Sequence, residues 1–298
     1  GKFEGDFVYE MRLEFGDADA EPSGKIDIMR VGYTGIPNTR VHLGVIQPIM
    51  TMADPTSSSE LIFLERPAVV GVATSAFGGK SGRRGVEATF QKTDTLYGGD
   101  NLLVSGALTG GTVGSTHSGF SDDEGVNLLG RVAYRLYSDE STNIQVGASG
   151  AEVLNAPQSS TSATRYVKLR DRPEAGVSTE FLVEACASAT TCSGIAAEGA
   201  SMFGFEAGMN FDNFFLGAEW YQFDVDRLSN LDPTFSGWYV EGTWILTGES
   251  RRYVASGTGN SVAVWDGPKV KHPFGADGIG ALEVMGRYSV LDVNWNEG

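Results

Sequence analysis

A two-residue alternation of apolar and charged side chains opens this chain and recurs to its end. Over residues 3–15, FEGDFVYEMRLEF, one side carries Phe3, Gly5, Phe7, Tyr9, Met11, Leu13 and Phe15. The other carries Glu4, Asp6, Val8, Glu10, Arg12 and Glu14. Successive side chains of a strand point to opposite faces, so the segment reads as one strand with an apolar and a charged surface. Ordinary strands run about 5–6 residues, whereas a tilted strand crossing a hydrocarbon slab takes about 9–11. Further strands are expected at 25–34, 39–46, 85–92, 101–109, 127–137, 143–151, 172–184, 203–211, 213–225, 237–247 and 281–293, with turn signals such as GIPN and NFDN between them. No segment has a helical period, so the chain is expected to be all-β.

The alternation sorts side chains into two faces. Arg131 and Arg135 oppose Val132, Tyr134 and Leu136; Glu87, Thr89 and Gln91 oppose Val86, Ala88 and Phe90. Tyr239, Glu241 and Thr243 oppose Trp238, Val240 and Trp244, and Glu283 and Arg287 oppose Leu282, Val284 and Tyr288. Charges cannot face lipid cheaply, so they must line an interior. A soluble barrel with these charges outside would need the aromatic face as its core, which is too bulky and continuous for a small one. The reading is a transmembrane antiparallel β-barrel in outer-membrane lipid, one domain over 1–298. Its wet, charged interior would make it a channel for small hydrophilic solutes or ions rather than a packed core. The modest mean hydropathy of -0.13 agrees, because a polar lumen dilutes the apolar signal.

The formal net charge of -16 argues against a nucleic-acid partner, which needs a basic footprint. Cys186 and Cys192 lie in CASATTC. They read as a disulfide closing a short loop in an oxidising compartment, since a metal pair would lack further ligands nearby. No cofactor is expected. His42, His117 and His272 stand in no recognisable constellation, which disfavours an enzyme. SGFSDDEG (118–125) lacks the spacing of an EF-hand loop. A structural scaffold barrel is the remaining rival to a channel. The chain starts inside a strand pattern without an initiator Met and ends in NWNEG, as a trimmed fragment lacking terminal strands would.

Residues 47–67, QPIMTMADPTSSSELIFLERP, are long, Pro-punctuated and without alternation. They read either as a loop folded inward to constrict the pore or as a surface loop with a short helix. Glu65 and Arg66 close this segment; Arg66 would either meet permeating anions or anchor the loop by a salt bridge. Arg131 and Arg135 stand about 13 Å apart on one face, as the start of a basic ladder or as partners of Glu87 or another wall carboxylate. The pore-lining candidates are therefore Glu65, Arg66, Arg12, Glu87, Arg131, Arg135, Glu241, Glu283 and Arg287. Arg83-Arg84 and Arg251-Arg252 flank strands, where lipopolysaccharide, a neighbouring subunit or solvent would meet them.

Several stretches resemble the phosphate-selective porin O and P family of bacterial outer membranes. The strongest are FSGWYVEGTWILTGESRRY (235–253), KVKHPF (269–274) and ALEVMGRYSVLDVN (281–294), in the order of the family's C-terminal block. GKFEGDFVYEMRLEFGDAD (1–19), VGYTGIPNTRVHLGVIQPI (31–49), SSSELIFLERP (57–67) and RPEAGVSTEFL (172–182) resemble its earlier parts. The resemblance implies a homotrimer of sixteen-stranded barrels with water-filled pores, with 47–67 as the constriction loop. Phosphate selectivity in that family rests on dense Arg and Lys, whereas this chain has 22 Lys plus Arg against 38 Asp plus Glu. Weak or cation-leaning selectivity is therefore expected, since wall charge sets which ion enters. The alternative is an oxyanion-selective pore with Arg66, Arg131 and Arg135 as its track.

Overall fold

The computed structural model describes residues 1–15, 25–113, 125–158, 164–172, 174, 183–185, 194–228, 231–257, 259–275 and 278–294. The first half holds β1 (Lys2–Phe3), β2 (Phe7–Glu14), β3 (Lys25–Tyr33), β4 (Thr39–Ile46), helix α1 (Ala68–Ala76), β5 (Arg83–Thr93), β6 (Asn101–Thr112), β7 (Val126–Ser138) and β8 (Thr142–Asn155). Short strands β9 (Tyr166–Val167), β10 (Arg170–Asp171) and β11 (Val183–Glu184) follow. The rest is β12 (Ile195–Phe211), β13 (Phe214–Arg227), β14 (Thr234–Ile245), β15 (Arg252–Val254), β16 (Val264–Asp266) and β17 (Glu283–Asp292). A 13-stranded sheet runs from β1 through β8, then β12, β13, β14 and β17, with β9 branching off β12. Each long strand lies antiparallel to its neighbours. β10–β11 and β15–β16 are separate two-stranded pairs.

The alternation builds this wall. Phe203, Phe205, Phe211, Phe214, Trp238, Trp244 and Tyr288 are exposed, while Arg131, Glu206, Glu219 and Tyr239 on the opposite face are buried. Rings on the outer face pair across strands, as Phe214 does with Trp244 at 5.4 Å. Val132 lies mid-β7 between Val104 and Ala148 and is 46% exposed. Val132→Arg should cost about 2–4 kcal/mol, the penalty for a cation at mid-depth on a lipid face. Denaturant unfolding in lipid vesicles checks this, and an unchanged midpoint would contradict an outward lipid face.

Three expectations need correction. Residues 3–15 are not one strand. Glu4 and Gly5 take positive φ of 50° and 73°, which folds β1 back on β2 with Phe3 opposite Phe7. Glu4, Gly5 and Asp6 thus belong to a turn, not to the wall. Second, the chain is not free of helix. AVVGVATSA forms α1 despite three β-branched valines of modest helix propensity. Burial decides it: Val69, Val70, Val72 and Ala73 are enclosed, at about 1.5–3 kcal/mol per buried valine. Glu174 accepts the Ala68 N–H at 2.7 Å, satisfying one donor of the first turn. Third, the interior is not wholly wet. Inward residues of β6, β7, β12, β13 and β14, among them Leu129, Met202, Tyr221, Phe223 and Tyr239, pack with α1 and Phe77 into a dry core. Apolar residues at inward register positions carry no sign of which segment will cover them, so alternation alone could not separate a wet wall from a covered one.

The connections fall into two sets. At one mouth they are short, at 34–38, 94–100, 139–141 and 212–213. At the other fall the strand ends that flank the longer connections, including 47–82, 113–125 and 156–194. The segment 246–282 breaks this pattern. It leaves from the short-turn mouth and yet is long.

Candidate functional site

Two segments enter the interior from opposite mouths and meet there. From the long-loop side, 47–67 spans between distant strands. Ile49 N–H donates to Glu87 of β5 at 2.7 Å. The Met52 and Ala53 amides donate to Glu219 of β13 at 2.7 and 3.1 Å. Further along, Arg287 of β17 donates to the Glu65 carbonyl at 2.9 Å. The wall therefore wraps round this segment from β5 to β17.

The second segment includes β15 and β16. Arg131 of β7 donates to the carbonyls of Val262 and Ala263 at 3.4 and 2.8 Å. Trp265 packs against the wall where Gly208 leaves room, for a Cβ there would collide with its ring. Its indole donates to Asn210 at 3.0 Å. The two segments bond to each other as well. Asn260 donates to the Gln47 carbonyl at 2.8 Å, Ser261 to Pro55 at 2.7 Å, and Gly267 N–H to Glu60 at 2.7 Å.

The expected site residues occupy these places. Arg66 donates to the carbonyls of Ala53, Asp54 and Thr56 and sits 3.8 Å from the Asp54 carboxylate, so it staples its own loop. Glu65 is exposed and contributes its carbonyl to Arg287. Arg12 pairs with Asp27 and reaches Gln47 at 3.4 Å. Arg131 pairs with the wall carboxylate Glu206 at 2.7 Å and not with Glu87. Glu87 instead receives Ile49 N–H and the Ser105 hydroxyl. Arg135 bonds Asn143 and lies 4.6 Å above the Tyr253 ring. Glu283 pairs with Arg251 at 3.2 Å, and Arg287 with Glu174 and Glu241 at 2.7 and 3.5 Å. Cys186, Cys192 and His117 lie outside the described residues, as does most of 172–184.

Sequence reasoning missed Glu206, Glu219, Arg30 and Arg40, and it set Arg251 against lipopolysaccharide, a neighbouring subunit or solvent, whereas Arg251 is buried and paired with Glu283. A signal existed for the two glutamates, because FGFEAGMNF and FFLGAEWYQF each carry a lone carboxylate at an inward position among aromatics. Arg30 is buried against Glu10 at 2.6 Å and donates to Asn260. Arg40 donates to the Gly257 and Gly259 carbonyls at 2.5 and 3.0 Å. The wall charges thus serve mainly as tethers for the inserted segments. No group of three or more His, Cys, Asp or Glu side chains that could hold a metal exists among the described residues.

The short-turn mouth carries its own brace. Asp100 accepts the Thr95 and Leu96 amides at 2.5 and 2.7 Å and the Tyr134 hydroxyl at 2.6 Å. Burial alone would raise its pKa, but these hydrogen bonds outweigh it and hold the carboxyl at about 2. A depressed pKa stabilises the turn above the ordinary carboxylate range, and that support is lost as pH falls from about 4 through 2. Amide exchange at Thr95 and Leu96 should accelerate, relative to the intrinsic rate, only in that acid window. Equal protection at pH 5 and pH 2 would contradict the brace.

The comparisons bear on this arrangement directly. The family model "Phosphate-selective porin O and P" matches residues 1–297. An uncharacterized protein of Caulobacter vibrioides (strain ATCC 19089 / CIP 103742 / CB 15) is 26% identical over 287 residues, 96% of this chain and 52% of that protein. The chain thus spans about half the length of that relative. With an antiparallel wall of transmembrane character, inserted segments tied to its inner face, and a family match from end to end, the chain belongs to the phosphate-selective porin O and P family of bacterial outer-membrane porins.

Proposed function

We propose that the protein is a passive diffusion porin for small hydrophilic solutes or ions, acting as a homotrimer in the outer membrane with lipid and lipopolysaccharide about it. The observation that carries this reading is the pair of inserted segments tethered by charged wall residues, since a lumen narrowed from both ends is the construction of a restrictive channel. Short turns face the periplasm and long loops the exterior in such barrels, which orients the molecule. Glu65, Arg66, Arg12, Glu87, Arg131, Arg135, Glu241, Glu283 and Arg287 shape the constriction, several by holding the inserted chain rather than by meeting solute.

Selectivity by charge is weak. Glu206, Glu241 and Glu283 sit in ion pairs with Arg131, Arg287 and Arg251, so little net field reaches a permeant from them. The excess of acid over base in the whole chain gives a lean toward cations. An oxyanion-selective pore is the second reading, favoured by Arg40, which has no ion pair within the described residues. The test is the zero-current potential of the purified protein in a planar bilayer under a KCl gradient, with phosphate titrated in. A small potential of cation sign without phosphate block fits the first reading. An anion-sign potential with block fits the second, and absence of conductance overturns both.

A further inference from the structure

A cavity of about 390 Å³ opens at the short-turn mouth between the ends of β2, β4, β5 and β6. Its volume falls within the range of small-molecule sites, about 300–1,000 Å³. Three cations line it: Lys2, Arg40 and Lys92. No carboxylate lines it among the described residues, in a chain that has 38 acidic side chains. Arg40 is 92% buried by its 8% exposure, and its Nε and Nη2 have no hydrogen-bond partner. Elsewhere on the inner wall the buried guanidiniums of Arg30, Arg131 and Arg251 each meet a carboxylate. Arg40 feels the Glu87 carboxylate only at longer range and has no ion pair, so its buried charge is incompletely offset and an anion in the cavity would complete it.

The remaining lining says what kind of anion fits. Asn38 and Gln91 supply amide donors, the Gln91 Nε2 being buried without a partner, whereas the Asn101 amide already donates to Tyr253. Val8, Ile36 and Pro37 supply an apolar wall, with Ile36 49% exposed. A small inorganic oxyanion would leave that apolar surface and most of the volume unused. An organic carboxylate uses both, placing its charged end toward the cations and its carbon body against Ile36 and Pro37.

We infer that this cavity is a docking site for small organic carboxylates at the periplasmic mouth. It rests on the porin reading only for its bearing on flux; binding itself is independent of conduction. Calorimetric titration of the purified protein in detergent tests it, with benzoate, the uncharged benzamide and inorganic phosphate as probes. Benzoate should bind, benzamide should not, and phosphate should bind more weakly than benzoate. Lys92→Gln and Lys2→Gln lie on exposed positions and should each weaken benzoate about fivefold, the effect of one partly exposed charge. Ile36→Ser should weaken benzoate and leave phosphate unchanged. Tighter binding of phosphate than benzoate, equal binding of benzamide, or indifference to the lysine variants would overturn the site. A bilayer recording separates the two questions: conductance with no benzoate binding overturns this site alone, whereas benzoate binding without conductance overturns the porin reading alone.

Discussion

Glu219→Ala is expected to release the 47–67 segment and widen the channel. The Glu219 carboxylate is buried at 2% exposure and accepts four hydrogen bonds. Two come from the Met52 and Ala53 amides and two from the Tyr221 and Tyr239 hydroxyls, at 2.6 and 2.7 Å. Alanine leaves all four donors facing nothing. At roughly 1–3 kcal/mol for each buried unsatisfied donor, partly relieved by entering water, the loss is about 3–6 kcal/mol. Most of that strain can be shed by letting Met52 and Ala53 leave the wall, so the effect should appear in conductance as well as in stability. Single-channel conductance in KCl should rise about two- to fivefold, as a constriction that loses its obstructing segment would. Tyr239→Phe removes one of the four donors without stranding another and should cost no more than about 1 kcal/mol with conductance unchanged. Glu219→Gln falls between, because one of its atoms becomes a donor where an acceptor is needed. Conductance equal to that of the parent in Glu219→Ala would show that the segment stands in place by packing alone.

The wall of this protein is written in its sequence, but what fills the wall is not. At Arg131-Val132 a single step of alternation places a guanidinium inside and a valine toward lipid, and period two makes that readable without any partner. The same rule applied to 203–225 would have found Glu206 and Glu219 facing inward. It would not have told that one holds Arg131 and the other two backbone amides, because those partners lie 75 and 166–167 residues away in sequence. Residues 68–76 are small and apolar with no clear period, so they fit a strand as well as a helix until Tyr221, Phe223 and Tyr239 enclose them. VAVW at 262–265 has the same ambiguity. It looks like a short strand for the wall and is instead inserted, with Val264 and Trp265 paired across to Val254 and Tyr253. The long connections 47–67 and 248–280 were legible as interruptions of alternation, and the first as a candidate for insertion. Their meeting inside the barrel depends on single bonds such as Asn260 to Gln47, which leave no pattern in a linear chain.

The second large effect centres on Arg131 and Glu206. Both are enclosed, with 1% and 5% exposure, and are joined by two hydrogen bonds of 2.9 and 2.7 Å. Removing the arginine alone leaves Glu206 charged, buried and without its cation. Breaking such a pair from one side costs about 3–5 kcal/mol. Arg131→Ala should therefore lower thermal stability strongly, and it also withdraws the donors that hold the Val262 and Ala263 carbonyls. The double variant Arg131→Met, Glu206→Leu should be less damaging than the single one, even though it changes more. It removes both charges together, and Ala263 keeps a donor in Gln145 at 3.1 Å. The long 3.4 Å contact to Val262 and the Gln145 bond to Glu206 are then lost without replacement, so the double variant should cost about 1–3 kcal/mol. Unfolding by guanidinium in detergent measures both. The ordering separates two explanations of the pair. If the single variant is worse than the double, the burden is the unpaired Glu206 carboxylate. If the double variant is as unstable as the single, the tether to 262–263 is what Arg131 supplies, and conductance should then rise in both as the second inserted segment loosens.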